Sequence, residues 1–200
     1  MDELRSRIEK GFPKAKCSFY CNDANVFLQQ DLRIILNAKK DRGVIFLDPF
    51  AMNVQWKSIE AIAATKCLDM WYLFPVNAVV RQLNEEGQFS SSMIKRLDDS
   101  LGGNGWHERF YKKKDFIQMS LFGEDDEQKY QRIQDSVKAI GEYAIENLRK
   151  VFPCVSSKPL ALTNSNNATM FYLIFAVSNP SRKAYDLANR IANDIIKKGT

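Results

Sequence analysis

Apolar residues recur every three or four positions in several segments of the chain, which is the spacing of one helix face. Leu4, Ile8 and Phe12 form the first such stripe and predict a helix over residues 2–12, ended by Gly11 and Pro13. The same spacing predicts further helices over residues 26–36, 56–63, 76–84, 125–151 and 184–198.

Between these helices lie short apolar runs that predict strands. The segment 44-VIFLDPF-50 begins with four consecutive apolar residues, and 68-LDMWYLFP-75 is apolar almost throughout. A strand without polar alternation is typical of a parallel sheet that helices cover on both faces. Further strands are predicted over residues 15–20, 154–162 and 169–177, and the last two are expected to form a hairpin.

The order of these elements from residue 13 to residue 87 is strand, helix, strand, helix, strand, helix. Such alternation predicts an α/β fold with an open, doubly wound sheet. We expect a single α/β domain over residues 1–200. Its parts are a core of βαβ units over 1–87, an irregular loop insertion with a short helix over 88–124, and a long helix, hairpin and closing helix over 125–200.

Composition is that of an ordinary globular protein, with 45% hydrophobic and 26% charged residues. The longest apolar stretches, such as residues 170–177, are far shorter than the roughly 20 residues of a membrane span. The charged start of the chain lacks the apolar centre of a signal peptide, so we expect a cytoplasmic protein without membrane contact. The net charge of +5 permits a nucleic acid as partner without requiring one.

Cysteine and histidine positions argue against a metal site and against a catalytic triad. Cys17 and Cys21 are four residues apart and would share one strand face as small buried side chains. Cys67 and Cys154 are isolated, and no pair has the spacing of a zinc ribbon. With His107 as the single histidine, a zinc site or a hydrolase triad is hard to build, and no metal is expected.

One segment carries more specific chemistry. Asp48 follows a predicted buried strand and precedes Pro49 and Phe50. Ligands of open α/β sheets bind in the crevice at the carboxyl ends of the strands. Amine methyltransferases place a carboxylate or amide, a backbone carbonyl and an aromatic ring there, which orient the attacking NH₂ group. We therefore predict Asp48, Pro49 and Phe50 as catalytic residues, against the alternative that Asp48 caps the turn and Phe50 lies in the core.

Residues 22–83 carry a family resemblance. The stretch CNDANVFLQQDL, followed by GVIFLDPFAMNVQWKSIEAIAATKCLDMWYLFPVNAVVRQL, resembles the three-Cys-motif partner protein family. These bacterial proteins have a methyltransferase-like Rossmann fold, which implies S-adenosylmethionine as cofactor and methyl transfer as activity. The later segment 101-LGGNGW-106, the hairpin and the last helix agree more loosely with the family pattern.

The resemblance also implies roles for individual residues. Asp23 would contact the adenine side of the cofactor, with Asn22 and Ala24 beside it; the alternative is that Asp23 caps the following helix. Residues 48–50 correspond to the reaction-centre motif of the family. Further positions of the family pattern are Trp56, Asp69, which could hold the helix after Asp48, and Arg81, which could bind a phosphate or pair with an acid.

The sequence departs from the family pattern at two places. Ala51 stands where the family has a glycine, which leaves less room for the backbone to approach a ligand. The first two strands of the family's sheet, with their glycine-rich turn, would lie before Met1, and no Gly-x-Gly occurs in residues 1–100. We therefore expect a Rossmann-like open sheet of the methyltransferase type that lacks its first two strands and ends in an antiparallel hairpin. Its exposed edges would favour a protein partner or a homo-oligomer.

Basic and aromatic residues are interleaved in 104-NGWHERFYKKK-114, a composition typical of contacts with single-stranded nucleic acid. The candidate polyanion contacts are Arg109, Lys112, Lys113 and Lys114, together with Arg81. The alternative is a solvated loop whose aromatic rings pack on the core.

Two functions of different classes follow. The first is an S-adenosylmethionine-dependent methyltransferase that acts on an amino group of a nucleic acid or a protein, which the motif at residues 48–50 beside Asp23 favours. The second is a non-catalytic module with a degenerate or truncated methyltransferase fold that binds another protein, which the missing glycine-rich turn favours. A nuclease or other hydrolase would need a metal-binding carboxylate cluster, and spacing identifies none beyond Asp23 and Asp48.

Overall fold

The computed structural model describes residues 2–113 and 130–198. Its strands are β1 (Gly43–Leu47), β2 (Leu68–Phe74), β3 (Tyr111–Lys113), β4 (Tyr130–Arg132), β5 (Cys154–Val155), β6 (Leu160–Thr163) and β7 (Thr169–Val177). Its helices are α1 (Asp2–Gly11), α2 (Ala24–Val26), α3 (Leu32–Ile35), α4 (Trp56–Thr65), α5 (Val76–Val80), α6 (Ser91–Leu101), α7 (Trp106–Phe110), α8 (Ser136–Val151) and α9 (Arg182–Lys198). A π-helical stretch, Phe27–Asp31, joins α2 to α3 into one helical segment. Among the helices described, none combines the length and apolar character that crossing a membrane requires.

The main sheet is mixed and open. Its strands lie in the order β1, β2, β7, β5, and β6 also pairs with β7. β1 and β2 are parallel, whereas β7 runs antiparallel to β2, β5 and β6. β3 and β4 form a separate antiparallel pair. The predicted α/β class and the antiparallel hairpin near the end of the chain are thus confirmed.

β2 lies between two strands and under helices on both faces, as its apolar sequence predicts. Alternate residues from Leu68 to Phe74 are buried in the main core, where they meet side chains of α4, α5, α6 and α8. On the opposite face Trp71 packs on Phe175 of β7, with 4.7 Å between ring centroids. Ala192 of α9 covers this second, smaller cluster.

β1 corrects a prediction, because only one of its faces is buried. Ile45 and Leu47 face the main core, but the side chains of Val44 and Phe46 are 64% and 59% exposed. β1 is an edge strand that pairs with β2 alone within the described part of the chain. An apolar run therefore predicted the strand correctly and its burial incorrectly, since burial depends on neighbours that the run does not encode.

The strand predicted over residues 15–20 does not form. These residues are irregular, and Cys17 and Cys21, expected to be buried, are exposed. Their nearest ring contacts are local: Arg5 lies over the ring of Phe19, and Tyr20 packs against Phe27. A strand needs a ladder partner for its backbone groups, and no described strand lies beside this segment.

The predicted loop over residues 88–124 is more regular than expected. It contains α6, which Ser90 caps by accepting a hydrogen bond from the N–H of Met93, and then α7 and β3. Leu97 and Leu101 of α6 are buried, so tertiary packing outweighs the glycines that suggested a loop. Residues 114–129 lie outside the described ranges.

Three other predicted elements have different boundaries. The helix predicted over 125–151 begins at Ser136, because residues 130–132 form β4 instead. The helix predicted over 76–84 ends at Val80, after which Asn84 closes a turn by accepting the N–H of Gly87 at 2.6 Å. The strand predicted over 154–162 is divided into β5 and β6, with Pro159, which lacks an N–H, between them.

Candidate functional site

A pocket of about 420 Å³ lies at the carboxyl ends of the parallel strands β1 and β2. Residues 48–51, which follow β1, form one wall. Pro75, Asn77, Ala78 and Arg81 form the second wall, and Met170 and Phe171 of β7 form the third. The fold therefore brings all three predicted catalytic residues together at the sheet edge where open α/β sheets bind ligands.

Asp48 lines this pocket without a partner among the described residues of the chain. Its side chain is exposed and has neither a hydrogen bond nor an ion pair with any residue in 2–113 or 130–198. Phe50 is 87% exposed, the most exposed of the large apolar side chains in the described structure. The alternative in which Asp48 caps a turn and Phe50 lies in the core is therefore wrong.

Arg81 and Asn77 supply the other polar groups of this pocket. Arg81 is exposed and lies with Asp48 along the pocket wall, so a cation and an anion border the same cavity. Asn77 donates through Nδ2 to the sulfur of Met170 at 3.3 Å. Sequence reasoning missed Asn77, because its proximity to the motif at residues 48–50 depends on the parallel pairing of β1 with β2.

Asn25 holds the loop that follows the Asp48 motif. Its Nδ2 donates to the carbonyl oxygen of Asn53 at 2.8 Å. Its Oδ1 accepts the N–H of Gln55 at 2.9 Å and the hydroxyl of Ser58 at 2.8 Å. These bonds join the first turn of α2 to the segment between β1 and α4, which fixes the position of both at one sheet edge. Sequence reasoning included the neighbours of Asn25 and missed Asn25 itself.

The predicted cofactor-side residues surround the start of α2. Asp23 caps this helix: its Oδ1 accepts the N–H groups of Asn25 and Val26 at 2.8 and 3.0 Å. Asn22 accepts the N–H of Asp23 at 2.9 Å, and Ala24 is exposed. None of the three predicted residues lines the pocket at Asp48. The capping alternative for Asp23 is thus what the geometry shows, and its Oδ2 has no partner in the described ranges.

The residues present fit the two halves of a methyltransferase site unequally. The Asp48 motif offers an unpaired carboxylate and an exposed ring in a pocket, which suits an amine. On the cofactor side, the described residues offer the partly used carboxylate of Asp23 and no glycine-rich turn after a parallel strand. Among the described residues, these side chains do not on their own form a cofactor cradle.

A second pocket of about 460 Å³ lies on the other side of the same loop. Asn53 and Gln55 contribute to it from the loop, and Lys95, Arg96 and Asp99 contribute from α6. Two cations and one carboxylate give its rim a net positive charge. It is a further polar cavity beside the Asp48 motif that the sequence did not indicate.

The predicted polyanion contacts have different local surroundings. Arg109 lies 3.1 Å from Glu146 and 3.8 Å from Glu142, so carboxylates of α8 already neutralise it. Lys112 and Lys113 are exposed on β3, and Lys114 lies outside the described residues. Arg81 lines the pocket at Asp48 instead.

The aromatic residues of the same segment belong to the core. Trp106, Phe110 and Tyr111 are buried, so their rings are not available to stack on bases. Burial raises the pKa of Tyr111 to about 12, an effect that Arg132 reduces and Glu85 reinforces, and its hydroxyl donates to the carbonyl of Asn84. The segment is therefore a packed element whose aromatic rings face the core, while Glu108, Arg109, Lys112 and Lys113 are exposed.

The remaining family-pattern positions are structural. Trp56 is half-buried at the start of α4 and packs against the backbone of Gly102. Asp69 accepts the N–H of Ser178 at 3.2 Å and so ties β2 to the connection between β7 and α9, not to the helix after Asp48.

Groups of three or more histidine, cysteine or acidic side chains that could hold a metal ion do not occur in the ranges 2–113 and 130–198. Comparisons of the chain with models of protein families, with curated proteins and with solved structures give no match. Functional assignment therefore depends on the chemistry of the Asp48 pocket and on the resemblance carried by residues 22–83.

Proposed function

We propose that this protein is a methyltransferase of the three-Cys-motif partner type, which uses S-adenosylmethionine to methylate an amino group. The observation that carries the proposal is the unpaired carboxylate of Asp48, set beside the exposed ring of Phe50 in a pocket at the carboxyl end of a parallel strand. Sheet topology supports it, because two parallel strands followed by an inserted antiparallel strand are typical of methyltransferase sheets.

The chemistry expected of this pocket is orientation. The carboxylate of Asp48 and a backbone carbonyl of the Asp48–Pro49 turn accept the two N–H groups of the acceptor amine. With both hydrogens engaged, the nitrogen lone pair points away from these oxygens. Phe50 covers one face of the acceptor, since its exposed ring offers apolar area for a planar group. S-adenosylmethionine, when bound, would supply the methyl group.

Arg81 favours a nucleic acid over a protein as the acceptor. Its guanidinium borders the same pocket as Asp48 and matches the geometry of a phosphate group. Adenine and cytosine carry exocyclic amines, and each lies one sugar away from a phosphate. The net charge of +5 and the exposed Lys112 and Lys113 add a general attraction to such a polyanion.

The first test is titration calorimetry with S-adenosylmethionine. We expect binding tighter than roughly 100 μM, about 5.5 kcal/mol, and weaker binding in Asp23→Ala. Asp186→Asn, an exposed substitution on α9, is the matched control. Transfer of a radioactive methyl group to single-stranded RNA, single-stranded DNA and nuclease-treated cell protein then identifies the acceptor class.

Two substitutions of Asp48 separate the role of its side-chain oxygen as a hydrogen-bond acceptor from the role of its negative charge. Asp48→Asn keeps an acceptor oxygen for the amine and is expected to retain most of the methyl transfer. Asp48→Ala removes that oxygen and is expected to reduce transfer by about a hundredfold, with unchanged binding of S-adenosylmethionine. Equal activity in Asp48→Ala and wild type would overturn the assignment.

The second candidate is a non-catalytic module that binds another protein. It is favoured by the use of the Asp23 carboxylate as a helix cap and by the lack of Gly-x-Gly in residues 1–100. If this function is correct, titration calorimetry with S-adenosylmethionine gives no binding heat, although cooperative unfolding shows that the protein sample is folded. Measurable binding that Asp23→Ala weakens would exclude it.

A further inference from the structure

The outer edge of β1 presents unpaired backbone groups. Gly43 donates its N–H to the carbonyl of Cys67, at the start of β2, over 3.1 Å. Because backbone groups alternate in direction along a strand, Gly43, Ile45 and Leu47 point theirs toward β2, whereas Val44 and Phe46 point theirs outward. No strand in residues 2–113 or 130–198 pairs with this outer side.

This edge also lacks the devices that normally prevent pairing with another chain. Natural edge strands carry lysine, proline or a bulge. β1 contains none of these, and its outward-directed residues carry exposed apolar side chains, Val44 and Phe46. An edge of this kind is a template for another strand.

The sequence around β1 is complementary to itself in the antiparallel direction. Ile45 lies at the centre of 42-RGVIFLD-48, with a cation at one end and a carboxylate at the other. Pairing two copies about Ile45 sets Val44 opposite Phe46, and Arg42 opposite Asp48. Val44 and Phe46 are the residues whose backbone N–H and C=O groups point outward. In this register these groups of one copy bond to those of the other copy.

We propose that the protein forms a two-fold symmetric dimer in which the β1 edges of two copies pair antiparallel in this register. Val44 then lies beside the partner's Phe46, a β-branched and aromatic cross-strand pair. Arg42 lies beside the partner's Asp48, and symmetry makes each contact twice. The two sheets become one continuous sheet across the dimer axis.

The charges at the two ends favour a second copy over an unlike strand. Arg42 and Asp48 are both exposed, and within the described ranges neither has an ion pair in the monomer. Arg42 donates only to the carbonyl oxygens of Ala38 and Asp41, at 2.9 and 2.6 Å. An antiparallel second copy supplies each of these charges with its opposite, and a copy paired in parallel would place like charges side by side.

The size of the contact sets the expected strength. Pairing two five-residue edge strands buries far less accessible surface than the roughly 1,200–2,000 Å² that a stable protein interface buries. The half-exposed Leu187 and Ile191 of α9 lie on the same face of the sheet and extend its apolar area. We therefore expect a dimer that dissociates on dilution.

Sedimentation velocity across a range of protein concentrations tests this dimer. Wild type is expected to shift from 23.0 kDa toward twice that mass as concentration rises. Arg42→Glu and Asp48→Arg are each expected to weaken association by about tenfold. The double variant Arg42→Glu/Asp48→Arg restores the pair with reversed charges, and its association is expected to return toward that of wild type.

A backbone variant tests the ladder itself. Val44→Pro removes an N–H that points to the open edge and no bond to β2, so the monomer is expected to fold while dimerisation is lost. Arg33→Glu, an exposed charge reversal on α3, is the matched control and is expected to leave association unchanged.

Three results would overturn the proposal: a monomer at every concentration, a dimer that Val44→Pro leaves intact, or a double variant that associates no more strongly than the two single variants. The readout is mass, so it is independent of methyl transfer. Asp48 also borders the proposed acceptor site, and its carboxylate has two oxygens, so one can pair with the partner's Arg42 while the other accepts from an amine. Arg42 and Val44 do not line that site.

Discussion

Ala51 shows how one residue shapes the loop that carries the candidate site. Its φ of 52° lies in the left-handed region, which non-glycine residues adopt at a cost. A glycine would adopt this conformation without strain, because it has no Cβ. Asp48, Pro49 and Phe50 were predicted as candidate site residues from local order in the sequence, and all three line one pocket. Asn25 did not, because its bonds reach 28 to 33 positions along the chain.

At residue 51 we expect Ala51→Gly to raise the free energy of unfolding by about 1 kcal/mol, because glycine adopts a positive φ without strain. Ala64→Gly on the exposed side of α4 is the matched control and is expected to lower it by up to about 1 kcal/mol. Urea unfolding of both variants measures the difference. A destabilised Ala51→Gly would contradict the strain argument.

At the scale of elements, the end of α6 lies close against the start of α4. Gly102 ends α6 with a φ of 84°, and the ring of Trp56 lies where a Cβ atom would approach within 2.5 Å. The three glycines near residue 102 suggested an open loop, whereas one of them permits a helix to end against an indole ring.

We expect Gly102→Ala to lower the free energy of unfolding by about 2 to 3 kcal/mol, through both overpacking and a strained φ. Gly103→Ala is the control, because Gly103 has a φ of 127° but nothing within 4 Å of its added Cβ. Gly103→Ala is expected to lower the free energy of unfolding by less than Gly102→Ala, because its added methyl group meets no neighbouring atom. Thermal and urea unfolding compare the two, and equal losses would refute the packing contribution.

The sequence predicts an element well when residues within that element determine its structure, and poorly when distant neighbours do. β2 and β7 were predicted because long apolar runs are sufficient to form central strands. The segment 15–20 has a similar apolar character, but it lacks a neighbour and stays irregular. β1 formed where predicted, yet as an edge, since the position of a strand in the sheet order is a property of the whole fold.

At the scale of the whole molecule, the two faces of the sheet contribute unequally to stability. The main core joins α4, α5, α6 and α8 to one face, whereas the other face holds a small cluster around Phe175 and Val177. Asp69 lies on this second face and ties β2 to the connection before α9. Burial raises its pKa above the ordinary value of 3.8, and the hydrogen bond from Ser178 opposes that effect.

This raised pKa gives the molecule a pH dependence of definite sign. The folded state holds the proton of Asp69 more firmly than the unfolded state, so the group's contribution to stability is complete below pH 3.8 and is lost as the pH rises through the folded pKa. Asp69→Asn keeps an acceptor oxygen for Ser178 and removes the ionisation. We expect it to be more stable than wild type at pH 7, with the difference shrinking as the pH falls. Urea unfolding at several pH values measures this, and a constant difference would contradict it.

The order of strands also determines when the chain can fold during its synthesis. Trp71 of β2 pairs with Phe175 of β7, a neighbour that the ribosome produces about a hundred residues later. Until then one edge of β2 and its second face are uncovered, and the nascent chain exposes apolar surface of the kind that chaperones bind. Such a non-local closure is slow compared with helix formation. Among the described strands, completion of the main sheet therefore waits for the synthesis of β7.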